Sequence, residues 1–261
     1  EGLAKSFWEE YYYKAMYGEA KQIFGGQPTN GAIMGIAPYG LIHPCDPQKA
    51  HDQTFEAMFI VEGYSRYSAA LAAAAIAAAM IPGATVDDII ENAFPAIQKH
   101  KSRVEGPRWS ESTWYQNVGL KNELLLEQAL AIARRHGNVQ TLKKELHDAV
   151  CQQFIADGAE TLAIALSMLV ASDGDYRQTV LGCVNFGRDN DSSASVGGAI
   201  AGALAGIQAI PEDWIKKVEE INPAPSFAEL AQGLCQIIKQ NYHRQSTVLA
   251  NQSILIPNSL L

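Results

Sequence analysis

Apolar residues along this chain recur at the three- and four-residue spacing of helices, and no segment alternates with the period of two that is typical of strands. The clearest helix is predicted over 116–135, where leucine and isoleucine residues fall on one face. Further helices are predicted over 3–24, 48–62, 65–80, 139–154, 160–170, 176–186, 196–207 and 227–242, with another that begins at Pro211. The pattern therefore predicts an all-α fold, a compact multi-helix bundle in a single domain over 1–261 whose last residues, 244–261, form a tail.

Two of the predicted helices consist mainly of small residues. The apolar run over 69–81 is dominated by alanine and is shorter than the roughly 20 residues that a membrane span needs, so we expect a closely packed core helix. The helix over 196–207 contains Gly197, Gly198 and Gly202. Since a glycine inside a helix costs up to about 1 kcal/mol relative to alanine, these glycines predict the close approach of another helix.

Composition and charge narrow the class of protein. Of the 261 residues, 48% are hydrophobic and 18% are charged, which is enough apolar material for a packed core. The net charge of -8 argues against a nucleic-acid surface, which would normally be basic. Because we recognise no signal peptide or membrane span, we expect a cytoplasmic protein without nucleic-acid or membrane partners. The four cysteines lie far apart in apolar or helical segments and are predicted to be buried free thiols.

The acidic segment, residues 187–192, carries the densest group of candidate ligands in the chain. Two carboxylates and a hydroxyl, those of Asp189, Asp191 and Ser192, lie within four residues just before the glycine-containing helix. Mg²⁺ and Mn²⁺ prefer such oxygen ligands and take few of them from a protein. A structural role also fits, in which Asp191 caps the helix and Asp189 interacts favourably with the helix dipole. Local chemistry alone favours the structural role, because a short D-x-D pattern matches many segments that bind no metal.

A second acidic pair, Asp87 and Asp88, follows Thr85. We interpret this pair as part of a helix start that Thr85 caps, not as a metal site, because acidic residues are favoured in the first turn of a helix. The segment 172–175 contains two further aspartates, but it lacks the ligand spacing of a calcium loop and is predicted to be a turn.

The wider sequence around the acidic segment gives a more specific signal. Residues 184–195 lead into the Gly/Ala run 198–203 and then into 209–214, Ala-Ile-Pro-Glu-Asp-Trp. Earlier in the chain lie 30–34, Asn-Gly-Ala-Ile-Met, then Ala-Pro-Tyr-Gly-Leu at 37–41 and Asp-Pro at 46–47. These segments closely resemble the ADP-ribosylglycohydrolase family. That family shows G-[GR]-D-T-D-T before a Gly/Ala helix that ends near A-[IL]-P-x-x-W, and N-G-x-x-M…P-x-G…D-P nearer its start. The resemblance runs from about Asn30 to Trp214.

The resemblance implies a function and a set of site residues. The family has an all-α fold with a binuclear Mg²⁺ centre, in which Mn²⁺ can take part, and it hydrolyses N- or O-glycosidic bonds of ADP-ribose. An ADP-ribose-like small molecule or an ADP-ribosylated protein is therefore the implied partner. By match to the motif, Asp189 and Asp191 would be metal ligands, and Ser192 stands where the family usually has a ligand threonine. In the same way, substrate-binding roles fall on Asn30, Gly31 and Met34. No residue is assigned as the catalytic acid or base.

The chain also departs from the family pattern. Gly35 stands where an arginine usually follows N-G-x-x-M, and the G-D-x-x-G and T-D-D-T segments that carry the remaining metal ligands are absent. We therefore expect either the C-terminal portion of the domain, which lacks an N-terminal segment that would act as its partner, or a relative without hydrolase activity. The non-catalytic alternative is a crystallin-like or scaffold protein that has lost the metals. A helical protein-interaction module is a third hypothesis.

Overall fold

The computed structural model describes residues 29–58, 61, 64–93, 118–151 and 154–256. Within these ranges the regular structure is helical and no residue lies in a strand, which confirms the predicted all-α fold. The elements are α1 Gly31–Met34, α2 Ala37–Leu41, α3 Pro47–Ala57, α4 Tyr64–Ala79, α5 Val118–His136, α6 Lys143–Val150, α7 Gly158–Ala171, α8 Tyr176–Phe186, α9 Asn190–Ala205, a 3-10 turn Ile207–Ala209, α10 Glu212–Ile221 and α11 Phe227–Leu255. Residues 86–93 are also helical. The helix predicted over 3–24 lies outside the described residues.

The described residues form two compact units, one that ends at Pro211 and one that begins at Glu212. The first unit contains the hydrophobic core and the acidic segment. In the second unit, α10 and α11 contain no buried residue. None of the described helices is long and apolar enough to cross a membrane. The assignment of 1–261 to a single domain stays a prediction.

Two helices without a polar face form the centre of the first unit. From Tyr67 to the end of α4 every residue is buried, and in α7 only Val170 is partly exposed. A helix that is apolar all round has to be surrounded on every side, and both helices pack against several neighbours. The alanine-rich run of α4 is thus the core helix that its composition predicts.

Small residues set how closely these helices approach one another. A β-carbon added at Gly40 of α2 would lie 2.8 Å from the backbone oxygen of Ala73 in α4. In α9, a β-carbon at Gly197 would lie 3.1 Å from Cys183 Sγ, on α8. The predicted close approach of another helix to the glycine-containing helix is therefore confirmed, and α8 is that neighbour.

Side-chain caps fix several helix starts in the first unit. Asp46, Asp157 and Asp175 each accept a hydrogen bond from a backbone amide in the first turn of α3, α7 and α8. The Thr85 hydroxyl accepts from the amide of Asp88 at 3.2 Å, so the predicted cap at this helix start is confirmed. The turn predicted over 172–175 is also confirmed, and it ends in the Asp175 cap.

Three sequence predictions need correction. The helix predicted over 139–154 is limited to α6, because the Asn138 side chain accepts from the amide of Gln140 at 2.8 Å and holds a turn before it, while Cys151 is extended after it. The last helix does not end near 242, since α11 continues through residues that we predicted as a tail. The four cysteines are all free, but among them only Cys183 is fully buried. Cys45 is exposed in the turn before α3, and Cys235 is exposed on α11, which contains no buried residue.

Candidate active site

The acidic segment is a sharp connection between α8 and α9. Gly187 and Arg188 both have positive φ angles, 86° and 60°, so the chain turns abruptly after α8. Arg188 is not a glycine, and a side chain in this backbone conformation needs support from its surroundings. This turn brings Asp189 to the N-cap position of α9.

The Asp189 carboxylate does not cap its own helix. It makes no hydrogen bond to the first amides of α9, in contrast to the aspartates that precede α3, α7 and α8. Asp191 lies within the first turn of α9, so the alternative in which Asp191 is the cap residue is wrong. The reason is that α9 begins at Asn190, two residues before the start that an Asp191 cap would give it. At the N-cap position Asp189 still lies where the helix dipole favours a negative charge, but its side chain makes its hydrogen bond elsewhere.

Asn30 holds the Asp189 carboxylate from a distant part of the chain. Its side-chain amide nitrogen donates to Asp189 Oδ2 and to Thr161 Oγ1, the latter at 3.2 Å. The Asn30 backbone amide donates to the carbonyl oxygen of Ala156 at 2.8 Å, just before α7. Asn30 is 4% exposed, so these hydrogen bonds are shielded from water. They join α1, α7 and the acidic segment at one point.

A buried ion pair reaches the acidic segment from the same turn of α7. Arg188 Nε donates to Glu160 Oε1 at 2.7 Å, and its terminal nitrogen donates to Oε2 at 2.9 Å. The Glu160 side chain is 1% exposed and the Arg188 side chain is 21% exposed. Such a bidentate pair is both stronger and more directional than a single charged hydrogen bond. The Cys151 thiol also lies against Glu160; burial, first, and then this carboxylate raise the pKa of Cys151 to about 11.

Asp191 and Ser192 complete the candidate ligand group. Asp191 is exposed, and its pKa is lowered, first by its interaction with the Asp189 side chain and then by the backbone amides of Asp191 and Ser192, so the two carboxyl groups are close neighbours. Ser192 is 2% exposed, and its Oγ has no hydrogen-bond partner among the described residues. A buried hydroxyl without a partner is costly unless a ligand or water satisfies it.

The three predicted substrate-binding residues lie along α1, from its N-cap, Asn30, to its last residue, Met34, but they differ in exposure. Asn30 is buried against Asp189, whereas Gly31 and Met34 are exposed. Gly31 donates its backbone amide to Thr29 Oγ1 at 3.3 Å. The structure thus joins Asn30 to the acidic segment through its hydrogen bond to Asp189, and Gly31 and Met34 lie on solvent-exposed positions of the adjoining α1.

A comparison with protein families decides the assignment of the chain. The family model described as ADP-ribosylglycohydrolase matches residues 4–245. The chain belongs to the ADP-ribosylglycohydrolase family. Because the match begins at residue 4, the expectation that the chain corresponds only to the C-terminal portion of the family domain is not borne out.

A curated relative extends this finding without adding a function. The chain is 26% identical, over 203 residues, to YegU, an uncharacterized protein of Escherichia coli strain K12. The aligned region covers 74% of this chain and 55% of the relative, so the chain spans about half the length of the curated protein it matches. No solved structure matches the chain.

In this member of the ADP-ribosylglycohydrolase family, sequence reasoning missed the contribution of α7. Glu160 and Thr161 were part of a predicted apolar helix, and Arg188 was part of the motif without a role of its own. A signal was present, because Glu160 is a charged residue at the start of an otherwise apolar, buried helix. Charged residues are almost never fully buried unless they are paired. The sequence alone could not say that the partner is Arg188.

Proposed function

We propose that this protein is a divalent-metal-dependent glycohydrolase that cleaves an N- or O-glycosidic bond of ADP-ribose, on a protein or on a small ribosyl compound. Membership in the ADP-ribosylglycohydrolase family supports the class of reaction. One structural observation supports the site. The Asp189 carboxylate occupies an N-cap position but turns away from its helix toward Asn30, beside a second carboxylate and the unpartnered Ser192 hydroxyl.

The donor set suits Mg²⁺ or Mn²⁺. Asp189, Asp191 and Ser192 offer hard oxygen atoms, which both ions prefer. The described part of the chain holds no group of three or more His, Cys, Asp or Glu side chains that could bind a metal. Mg²⁺ commonly binds through one or two carboxylates, with waters and substrate phosphates as its other ligands, so two carboxylates beside a diphosphate-containing substrate are consistent with it. We propose two such ions in the complete protein.

The residues of the candidate site would have the following roles. Asp189, Asp191 and Ser192 hold the ions, and Asn30 orients Asp189 through its donated hydrogen bond. Gly31 and Met34, both exposed beside Asn30, contact the diphosphate and ribose of the substrate. When bound, a divalent ion supplies Lewis acidity toward substrate oxygen and lowers the pKa of water. The general acid and base are not assigned.

Calorimetric titration with Mg²⁺ and with Mn²⁺ tests this proposal. We expect heat of binding with the wild-type protein and its loss in Asp189→Ala. Asp213→Ala is the matched control, because Asp213 is an exposed aspartate in the first turn of another helix, α10. Equal heats for wild-type protein and Asp189→Ala would show that the metal binds elsewhere.

Release of ADP-ribose from N- and O-linked ADP-ribosylated peptides, with and without the metal, tests the reaction itself. We expect metal-dependent release by the wild-type protein and none by Asp189→Ala. Metal binding without release from either peptide would favour the alternative, a non-catalytic relative that retains part of the site.

A further inference from the structure

We propose that the first turn of α7 positions the Asp189 carboxylate through two side-chain arms, and that Glu160 is a positioning residue of the candidate site. The first arm is the Glu160–Arg188 ion pair, and the second is the hydrogen bond between Thr161 and Asn30. We call these arms together the α7 brace. Its effect on metal binding rests on the proposed function, whereas its effect on the position of Asp189 does not.

The first arm fixes the backbone of the residue that precedes Asp189. Arg188 has a positive φ angle of 60°, which is uncommon for a residue with a side chain. Its guanidinium binds both oxygens of Glu160, which is almost completely buried. The two-point contact restrains rotation of the Arg188 side chain, and the short link between adjacent residues passes that restraint to Asp189.

The second arm acts on the carboxylate directly. Thr161 Oγ1 donates to the carbonyl oxygen of Asp157 at 2.9 Å and is thereby oriented to accept from Asn30. The same side-chain nitrogen of Asn30 then donates to Asp189 Oδ2. Asp157 is itself fixed, since it caps α7 through the amides of Ala159 and Glu160. The brace therefore starts from a buried, fully bonded helix turn.

A competing position for Asp189 explains why a brace is needed. A carboxylate at an N-cap position ordinarily accepts from the second or third amide of its helix, which stabilises the helix. Asp189 is at that position in α9 but does not make this bond. The brace holds the carboxylate out toward Asn30, and loss of the brace would release it to cap α9.

The test uses Glu160→Gln, which keeps the shape of the side chain and removes its charge. Arg188→Lys, which keeps the charge and loses the two-point contact, carries the same test if Glu160→Gln does not fold. Arg134→Gln is the control, because it breaks a pair with Asp87 that has a similar N–O distance, 2.9 Å, but lies on the surface. Crystal structures of the variants report the position of Asp189, and calorimetry with Mn²⁺ reports its use as a ligand.

We expect the Asp189 carboxylate to leave Asn30 in the brace variants and to bond the amides of α9. The dissociation constant for Mn²⁺ should rise about 10- to 100-fold, as is usual when an outer partner of a metal ligand is removed. The control, Arg134→Gln, should change neither the position of the Asp189 carboxylate nor the dissociation constant for Mn²⁺. If the carboxylate moves but the wild-type protein binds no Mn²⁺, the positioning role of the α7 brace is supported and the proposed function is refuted. If Asp189 keeps its place in both brace variants, the inference is overturned, even if the variants melt at a lower temperature.

Discussion

A glycine at the contact between two helices, Gly40, gives a quantitative test of the packing around the site. Gly40 of α2 faces the central helix α4, and a β-carbon at this position would lie 2.6 Å from Ile76 Cβ and 2.8 Å from the backbone oxygen of Ala73. Carbon atoms in good contact are about 3.5–4.0 Å apart. Gly40→Ala therefore requires α2 to move away from α4 by roughly 1 Å, and α2 follows directly after α1, which carries the predicted substrate-binding residues.

The surroundings of Gly40 cannot yield easily. Ala73 and Ile76 are completely buried in a helix that is packed on all sides, so neither the backbone nor the branched side chain has free space to enter. Overpacking of this kind typically costs about 1–3 kcal/mol. Alanine regains up to about 1 kcal/mol because it favours the helix over glycine. Because the new contacts would lie below 3.0 Å, the cost falls in the upper part of that range, about 2–3 kcal/mol, and with the full gain subtracted the net loss in the free energy of unfolding is about 1–2 kcal/mol.

Thermal unfolding followed by circular dichroism measures this loss. For chains of this size, 1 kcal/mol corresponds to roughly 2–4 °C, so Gly40→Ala should lower the melting temperature by about 2–8 °C. Gly35→Ala is the matched control, since a β-carbon there meets nothing within 4 Å and its φ is negative, -100°. The control should melt within about 2 °C of the wild-type protein. Unchanged melting of Gly40→Ala, or an equal loss in both variants, would refute the packing argument.

Three further predictions concern α9 and the cysteines. Gly202→Ala should stabilise the protein by up to about 1 kcal/mol, because alanine favours a helix over glycine. There is room for the new β-carbon, which would make ordinary contact with the ring of Tyr176 at 3.6 Å. A lower melting temperature would contradict this. At pH 8, an alkylating reagent should modify the exposed Cys45 and Cys235 and leave the buried Cys183 intact, as mass spectrometry of the peptides would show. Burial raises the pKa of Cys183 from 9.0 to about 12, so the folded protein keeps this thiol neutral while the unfolded chain ionises. The thiol's contribution to stability is therefore complete below about pH 9 and is lost as the pH rises toward 12. In denaturation curves measured at several pH values, Cys183→Ala should remove this pH-dependent loss of stability.

Several features of the fold could be predicted because their causes are local. The spacing of apolar residues predicted most of the helices of the first unit, and the alanine-rich run predicted α4 as a buried helix. The Thr85 cap was also predictable, since the hydroxyl and the amide that it caps lie three residues apart. The family could be named from contiguous motifs, and the family match confirms it. The metal-binding and substrate-binding roles stay predictions.

The sequence by itself therefore determined the helical class, the family and the group of oxygen atoms in the acidic segment. Only the tertiary structure decided what that group does in the fold. The hydrogen bond from Asn30 to Asp189 joins residues 159 positions apart, and the pair of Arg188 with Glu160 joins residues 28 positions apart. No local pattern encodes such contacts, because they exist only once α1, α7 and α9 have packed together. Locally, Asp191 looked like a helix cap and Asp189 like a carboxylate favoured by the helix dipole; packing joins the Asp189 side chain to Asn30 instead of to the amides of α9.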